Sequence, residues 1–160
     1  MNNWRNNNAI VKDIGLTLLS EGKTIRIKAH GYSMYPCVKP GSLILIEPLN
    51  IKGMPRPGEI IAIRRESGLI VHRLTKIINK NRVTFYVARG DSNAYADNPV
   101  KIDKIAGRIV RAESTGENPV VADIRINTTP NYFRNRIRVI GILLWKKIPP
   151  LPPIWGVKRT

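Results

Sequence analysis

Acidic and sulfur-containing side chains are scarce in this chain of 160 residues. It has one cysteine, Cys37, so no internal disulfide can form. Only 11 Asp and Glu residues stand against 27 Lys and Arg, which gives a formal net charge of +16. Such an excess suits a nucleic acid, an anionic membrane surface or an acidic substrate as partner. No acidic residue follows Asp123, so the C-terminal end is the most basic part of the chain.

Histidines and long apolar runs are also few. Two histidines and one cysteine are too few ligands for a convincing zinc site, and we expect neither a metal nor a cofactor. The apolar stretch Val139–Trp145 is seven residues long, whereas a bilayer span needs about 20. Residues 1–8 are rich in asparagine and lack the apolar core of a secretory signal. The sequence therefore predicts a cytoplasmic or peripheral membrane protein.

The main part of the chain has the pattern of short strands separated by turns. Its 12 glycines and 12 prolines favour turns, and apolar positions at residues 10–19 recur at helical spacing. We predict a mainly β fold, an antiparallel and partly barrel-like domain with short N-terminal and C-terminal helices. The predicted strands cover residues 23–29, 43–46, 60–63, 69–78, 83–88 and 105–110.

The chain divides into four predicted segments. We expect a disordered N-terminus at residues 1–8, the β domain at 9–129, an amphipathic basic helix at 130–148 and a proline-rich tail at 149–160. The helix would carry its apolar side chains on one face, with arginines and lysines beside them. That face could lie on an anionic membrane or pack against the β domain, and both alternatives stay open. The residues of this face are Phe133, Ile137, Ile140 and Leu144.

A stiff turn precedes one of the predicted core strands, in the stretch Gly31-Tyr-Ser-Met-Tyr-Pro36. Gly31 can adopt backbone angles closed to other residues, and Pro36 fixes its own φ. Ser33 lies between them, directly before Met34. A hydroxyl held on a rigid turn is a candidate nucleophile, although a turn serine alone has no catalytic meaning.

A candidate base and candidate acids follow further along the chain. His72 lies in a strand-like run, and Asp91 and Asp97 lie in the polar stretch after it. Serine, histidine and aspartate are the components of a nucleophile, a base and an orienting group. His30 is the weaker base candidate. It lies three positions before Ser33, and residues at odd separations on a strand point to opposite faces. Cys37 is a weaker nucleophile candidate, since small cysteines beside proline commonly serve packing.

Taken together, these motifs resemble the signal peptidase I family. They are Gly-x-Ser-Met-x-Pro, then Pro-Gly and an apolar strand, Val-His-Arg, and Gly-Asp with a second Asp six residues on. The resemblance covers about residues 25–110 and is stronger to the archaeal and endoplasmic-reticulum branch, whose base is histidine. It implies the fold shared with self-cleaving (LexA-like) repressors and a serine endopeptidase that cleaves an extended peptide or precursor protein. The usual N-terminal membrane anchor of the family is not visible.

The resemblance also assigns roles to residues. It makes Ser33 the nucleophile, His72 the general base, and Asp91 and Asp97 the acidic residues, with Gly31, Met34 and Pro36 forming the turn that meets the substrate. Bacterial members often carry a hydroxyl two residues before the nucleophile. Gly31 occupies that position here, so oxyanion stabilisation would depend on backbone N–H groups.

Of the two aspartates, we predict that Asp97 orients His72, because the stretch before it can reach back toward the histidine strand. Asp91, beside Gly90, suits turn capping. The alternative function is a non-catalytic module of the same fold that binds nucleic acid or an anionic membrane. Nucleic acid is the less favoured partner, because the residues before the serine turn are too few for a DNA-binding domain of the repressor type.

Overall fold

The computed structural model describes residues 13–49, 53–66, 68–114, 121–123 and 137–141. The predicted disordered N-terminus and proline-rich tail lie outside these residues. A helix covers residues 13–20, within the predicted helical stretch, and a second helical segment covers residues 137–141. No helix among the described residues combines the length and apolarity needed to cross a bilayer.

The described residues contain seven strands, which form one antiparallel sheet. They are β1 (Ile25–Lys28), β2 (Leu43–Glu47), β3 (Ile60–Arg65), β4 (Gly68–Lys80), β5 (Val83–Arg89), β6 (Ile105–Glu113) and β7 (Val121–Asp123), with a 3-10 turn at Ile102–Lys104 before β6. The spatial order is β1-β2-β6-β3-β4-β5, and β7 pairs with the C-terminal part of β6. The predicted mainly β, antiparallel fold is confirmed, but the sheet formed by the described strands is open and does not close into a barrel.

The sheet buries apolar side chains on both faces, and β3 shows this most clearly. Successive side chains of a strand point to opposite faces. Ile60 and Ala62 join one buried cluster, with side chains of β2, β6 and the serine turn. Ile61 and Ile63 join a second cluster, with β4 and β5. All four side chains are fully buried, so β3 is a central strand from which neighbouring elements are positioned on either face.

The loop before β3 is fixed to the sheet by a buried arginine of β6. Arg108 Nη1 donates to Glu59 Oε1 at 2.8 Å, and its Nη2 donates to the carbonyl of Gly53. Glu59 Oε2 accepts a further bond from the backbone N–H of Arg56 at 2.7 Å. Because both side chains are largely buried, this ion pair holds the loop in one position next to β4.

Of the predicted C-terminal helix at 130–148, only residues 137–141 are described, and they are helical. Ile137 is 64% exposed and Ile140 is 46% exposed. The other two residues of the predicted apolar face, Phe133 and Leu144, lie outside the described residues. At the two positions that can be assessed, the apolar face is open to solvent.

Candidate active site

The serine turn, residues 31–37, is held by its own buried side chains. Gly31 has φ of +81°, a value that favours glycine, as the sequence predicts. Met34 and Val38 are buried in the cluster beneath β2, and the N–H of Val38 donates to the carbonyl of Met34 at 2.9 Å. Ser33, directly before the first of these anchors, is half-buried on a fixed backbone and lines the cavity described below.

The turn that follows β5, residues 90–93, packs directly on the serine turn. The N–H of Ser92 donates to the carbonyl of Ser33 at 2.8 Å, and Ser92 Oγ donates to the carbonyl of Tyr35 at 2.7 Å. A Cβ on Gly90 would come within 2.7 Å of the Ser33 carbonyl oxygen. Position 90 therefore requires glycine, because any side chain would push the two turns apart.

His72 and Asp97 form the short polar contact of the site. His72 Nδ1 lies 2.6 Å from Asp97 Oδ2, and the histidine is 6% exposed. An ionised carboxylate can only accept, so Nδ1 is the donor of this contact, and in the neutral ring Nε2 is then the acceptor. The N–H of Asp97 donates to the carbonyl of Ala88 at 2.8 Å, which fixes the aspartate beside β5. This is the geometry of a base and its orienting group.

Asp91 has a different partner, Arg73. Arg73 Nε and Nη2 donate to the two carboxylate oxygens of Asp91 at 2.8 and 2.7 Å, and both side chains are 4% exposed. Arg73 Nη1 also donates to the carbonyl of Gly58 at 2.8 Å. Asp91 is thus part of a buried bidentate ion pair that joins the turn after β5 to β4. The sequence analysis predicts turn capping for Asp91 but does not predict its ion pair with Arg73, because it assigns no role to that arginine.

The pKa of Arg73 reflects this environment. Burial lowers the pKa of its guanidinium, but the hydrogen bonds and negative charge of Asp91 more than offset that effect, with a smaller contribution from Cys37. The net result is a pKa raised above the ordinary arginine value, so the arginine stays charged throughout the working pH range. Cys37 lies beside Arg73 and does not line the cavity described next.

A cavity of about 560 Å³ lies between β1 and the start of β4. Ser33 and His72 both line it, as do apolar side chains such as Ile27 and Val71. His30 lines it too, but among the described residues no carboxylate is hydrogen-bonded to His30. The structure therefore brings the candidate nucleophile and the carboxylate-bound histidine to one apolar cavity. It shows no hydrogen bond between the Ser33 hydroxyl and the His72 ring within the described part of the chain.

Backbone donors are available beside the serine hydroxyl. Within residues 13–49 and their described neighbours, the N–H groups of Ser33 and Met34 donate no hydrogen bond. Free N–H groups at a nucleophile are the usual means of stabilising an oxyanion. This arrangement is compatible with the expectation that backbone N–H groups stabilise the oxyanion, since Gly31 has no hydroxyl to do so.

No protein-family model matches the chain, and no curated protein matches it either. The resemblance to signal peptidases thus depends on the motifs and on the geometry described above.

The sequence contains one usable signal for the missed arginine. Arg73 follows His72 on β4, and neighbouring side chains on a strand point to opposite faces. A buried arginine needs a carboxylate partner, so two successive polar residues on a buried strand could be matched with the two aspartates.

Among the described residues no three His, Cys, Asp or Glu side chains come together as a metal site.

Proposed function

We propose that this protein is a serine endopeptidase of the signal peptidase type, with Ser33 as nucleophile and His72 as general base. The observation that carries the proposal is the 2.6 Å contact between His72 and Asp97, on the wall of the cavity that Ser33 also lines. A carboxylate-bound, largely buried histidine beside an accessible serine is the arrangement that acyl transfer requires.

The reaction proceeds in two steps. Ser33 Oγ attacks the peptide carbonyl while its proton passes to Nε2 of His72, and the carbonyl oxygen becomes an oxyanion. The C–N bond then breaks, the proton moves from His72 to the leaving amine, and an ester remains on Ser33. Water then attacks this ester while its proton passes to His72, the bond between the acyl carbon and Ser33 Oγ breaks, and the proton returns from His72 to Oγ as the acid leaves. Asp97 keeps Nδ1 protonated and stabilises the imidazolium that forms in each step.

Oxyanion stabilisation falls to the backbone N–H groups of Ser33 and Met34. One such donor contributes on the order of 10²–10³ in kcat, and general-base catalysis about 10²–10⁴. The Ser92 contacts to the carbonyls of Ser33 and Tyr35 hold this backbone still. Preorganised donors of this kind need no rearrangement when charge develops.

The substrate is an extended peptide. β1 is the end strand of the sheet, and β4 pairs with β5 only from Arg73 onward. The outer edges of β1 and of residues 68–72 are therefore both without a strand partner among the described strands, and both border the cavity. An extended peptide can pair with such edges through its main chain. The family resemblance adds small side chains before the scissile bond.

A fluorophosphonate probe tests the proposal directly. We expect labelling of the wild-type protein, mapped to Ser33 by mass spectrometry, and none in Ser33→Ala. His72→Ala should slow labelling strongly, whereas His30→Ala, the matched change at the other histidine of the cavity, should not. Ser20→Ala controls for an exposed serine outside the site. Absence of labelling, or labelling of another residue, would favour the non-catalytic module instead.

A further inference from the structure

The far ends of β4 and β5 form a two-stranded ribbon that extends beyond the rest of the sheet. Pairing of β4 with β3 ends at Arg73, whereas pairing with β5 continues to the register pair Lys80 and Val83. The ribbon turns at Asn81 and Arg82, which have φ of +50° and +62°. Both strands of this ribbon are exposed for most of its length, so it is presented to whatever approaches this end of the molecule.

One face of the ribbon is amphipathic. Side chains opposite each other in an antiparallel pair share a face, and so do alternate residues along each strand. Ile78 and Phe85 are register partners on this face, and neither belongs to a buried core cluster of the described residues. Val83 beside them is 36% exposed. The ribbon face, as we name it, comprises Lys76, Ile78, Lys80, Val83 and Phe85, with Arg82 at its tip.

The charge of this region has a single sign. No acidic residue occurs between residues 68 and 90, which contain both strands of the ribbon. Lys76, Lys80 and Arg82 are exposed, and among the described residues none of the three has an ion-pair partner. Lysines on a free strand edge also discourage pairing with other chains. That role leaves the apolar side chains between the cations unexplained.

We propose that the ribbon face docks on an anionic lipid surface. Cations attract anionic headgroups, and apolar side chains between them can enter the headgroup boundary. Single-stranded nucleic acid is the less favoured partner, because it binds through exposed aromatic side chains on which bases stack. Phe85 is half-buried and Tyr86 is 4% exposed, so the ribbon offers no open aromatic ring.

This contact would leave the candidate active site open. His72 and Lys80 are eight positions apart on β4, which corresponds to about 26 Å along a strand. The lipid contact that we propose is therefore separate from the residues that line the cavity between β1 and β4. The inference does not depend on catalysis, since it concerns the opposite end of β4.

Vesicle co-sedimentation of the full chain tests it. The probe is vesicles of phosphatidylcholine with phosphatidylglycerol, compared with phosphatidylcholine alone, at low and high salt. The ribbon variant is Lys76→Gln, Lys80→Gln and Arg82→Asn, where asparagine tolerates positive φ. The matched control removes three exposed cations elsewhere, as Lys39→Gln, Lys101→Gln and Lys104→Gln. Both variants have the same net charge, and thermal melts check that both are folded.

We expect salt-sensitive binding to the anionic vesicles only. Each cation near an anionic surface contributes about fivefold, so the ribbon variant should bind on the order of 100-fold more weakly, and the control within a fewfold of wild type. Equal losses in both variants would assign binding to net charge and overturn the proposal. The proposal would also be overturned if the wild-type protein did not bind the vesicles. It would likewise be overturned if a single-stranded RNA displaced the protein from the vesicles and bound the ribbon variant more weakly than the wild type.

Discussion

Exchanging each aspartate of the site for asparagine separates catalysis from stability. Asp91 and Asp97 are six positions apart, yet one binds a buried arginine and the other a histidine on the cavity wall. Asparagine has the same shape as aspartate but no charge, so the two substitutions are chemically matched. We expect Asp91→Asn to lower stability and Asp97→Asn to lower kcat.

The stability effect follows from the burial of the Arg73–Asp91 pair. Both side chains are 4% exposed, and removing one partner of a buried pair costs about 3–5 kcal/mol because an unpaired charge remains. Asparagine retains one carbonyl acceptor, so we expect about 2–4 kcal/mol. In a chain of this size each kcal/mol lowers Tm by roughly 2–4 °C, which predicts a fall of about 4–16 °C.

The catalytic effect follows from the tautomer of His72. Asparagine can donate its amide N–H to Nδ1, which moves the ring proton to Nε2 and removes the base that Ser33 needs. Such a substitution lowers kcat by on the order of 10⁴. Asp97 has 20% of its side chain exposed, so water can replace the lost bond, and the stability cost should stay near about 1 kcal/mol.

The assay combines steady-state cleavage of a fluorogenic peptide with thermal melts of the same preparations. A double variant, Arg73→Met with Asp91→Leu, removes both buried charges and should regain part of the stability that Asp91→Asn loses. If Asp91→Asn abolishes turnover at unchanged Tm while Asp97→Asn only lowers Tm, the two aspartates have the opposite roles and the reasoning is refuted.

Further predictions concern the remaining parts of the site and the C-terminal segment. Ser33→Ala and His72→Ala should each abolish peptide cleavage in a folded protein, whereas Cys37→Ser should change kcat little; activity loss only in the cysteine variant would contradict this. Gly90→Ala should lower kcat by on the order of tenfold or more, because its Cβ would displace the Ser33 carbonyl; unchanged kinetics would show that the turns can separate freely. Truncation after Thr129 should weaken sedimentation with anionic vesicles if the C-terminal helix binds lipid, and equal sedimentation of both forms would exclude that role.

Much of the fold could be predicted because its strands carry local signals. The apolar run from Leu43 to Ile46 identifies β2, whose Ile44 and Ile46 are fully buried while Leu43 and Leu45 are half-buried. A continuous apolar run identifies β3, which is covered on both faces. Predicted strand ends differ from the observed ones by a few residues at most, and the largest extension is in β6, which continues to Glu113. The short strand β7 was not predicted, since its three residues carry too little pattern.

The order of the strands could not be predicted in the same way. β6 inserts between β2 and β3, so its pairs with both of these strands join segments that are distant in sequence. Such pairs are chosen by which apolar faces fit, and no local pattern encodes that choice. The close approach of β6 to β2 at Gly107, where a Cβ would collide with the Glu47 carbonyl, is visible only once the pairing is known.

The site itself shows why its sequence signature is sparse. Most contacts that hold Ser33 in place involve backbone atoms: the N–H of Ser92, the carbonyls of Ser33 and Tyr35, and the missing Cβ of Gly90. Backbone contacts restrict side-chain identity only where space is lacking, and here that means Gly90. A turn of this kind can keep its geometry while most of its side chains change. Few residues are therefore restricted by the chemistry, and they are widely spaced in the sequence. They are the serine, the histidine and the two aspartates, which is why these four could be recognised from the sequence.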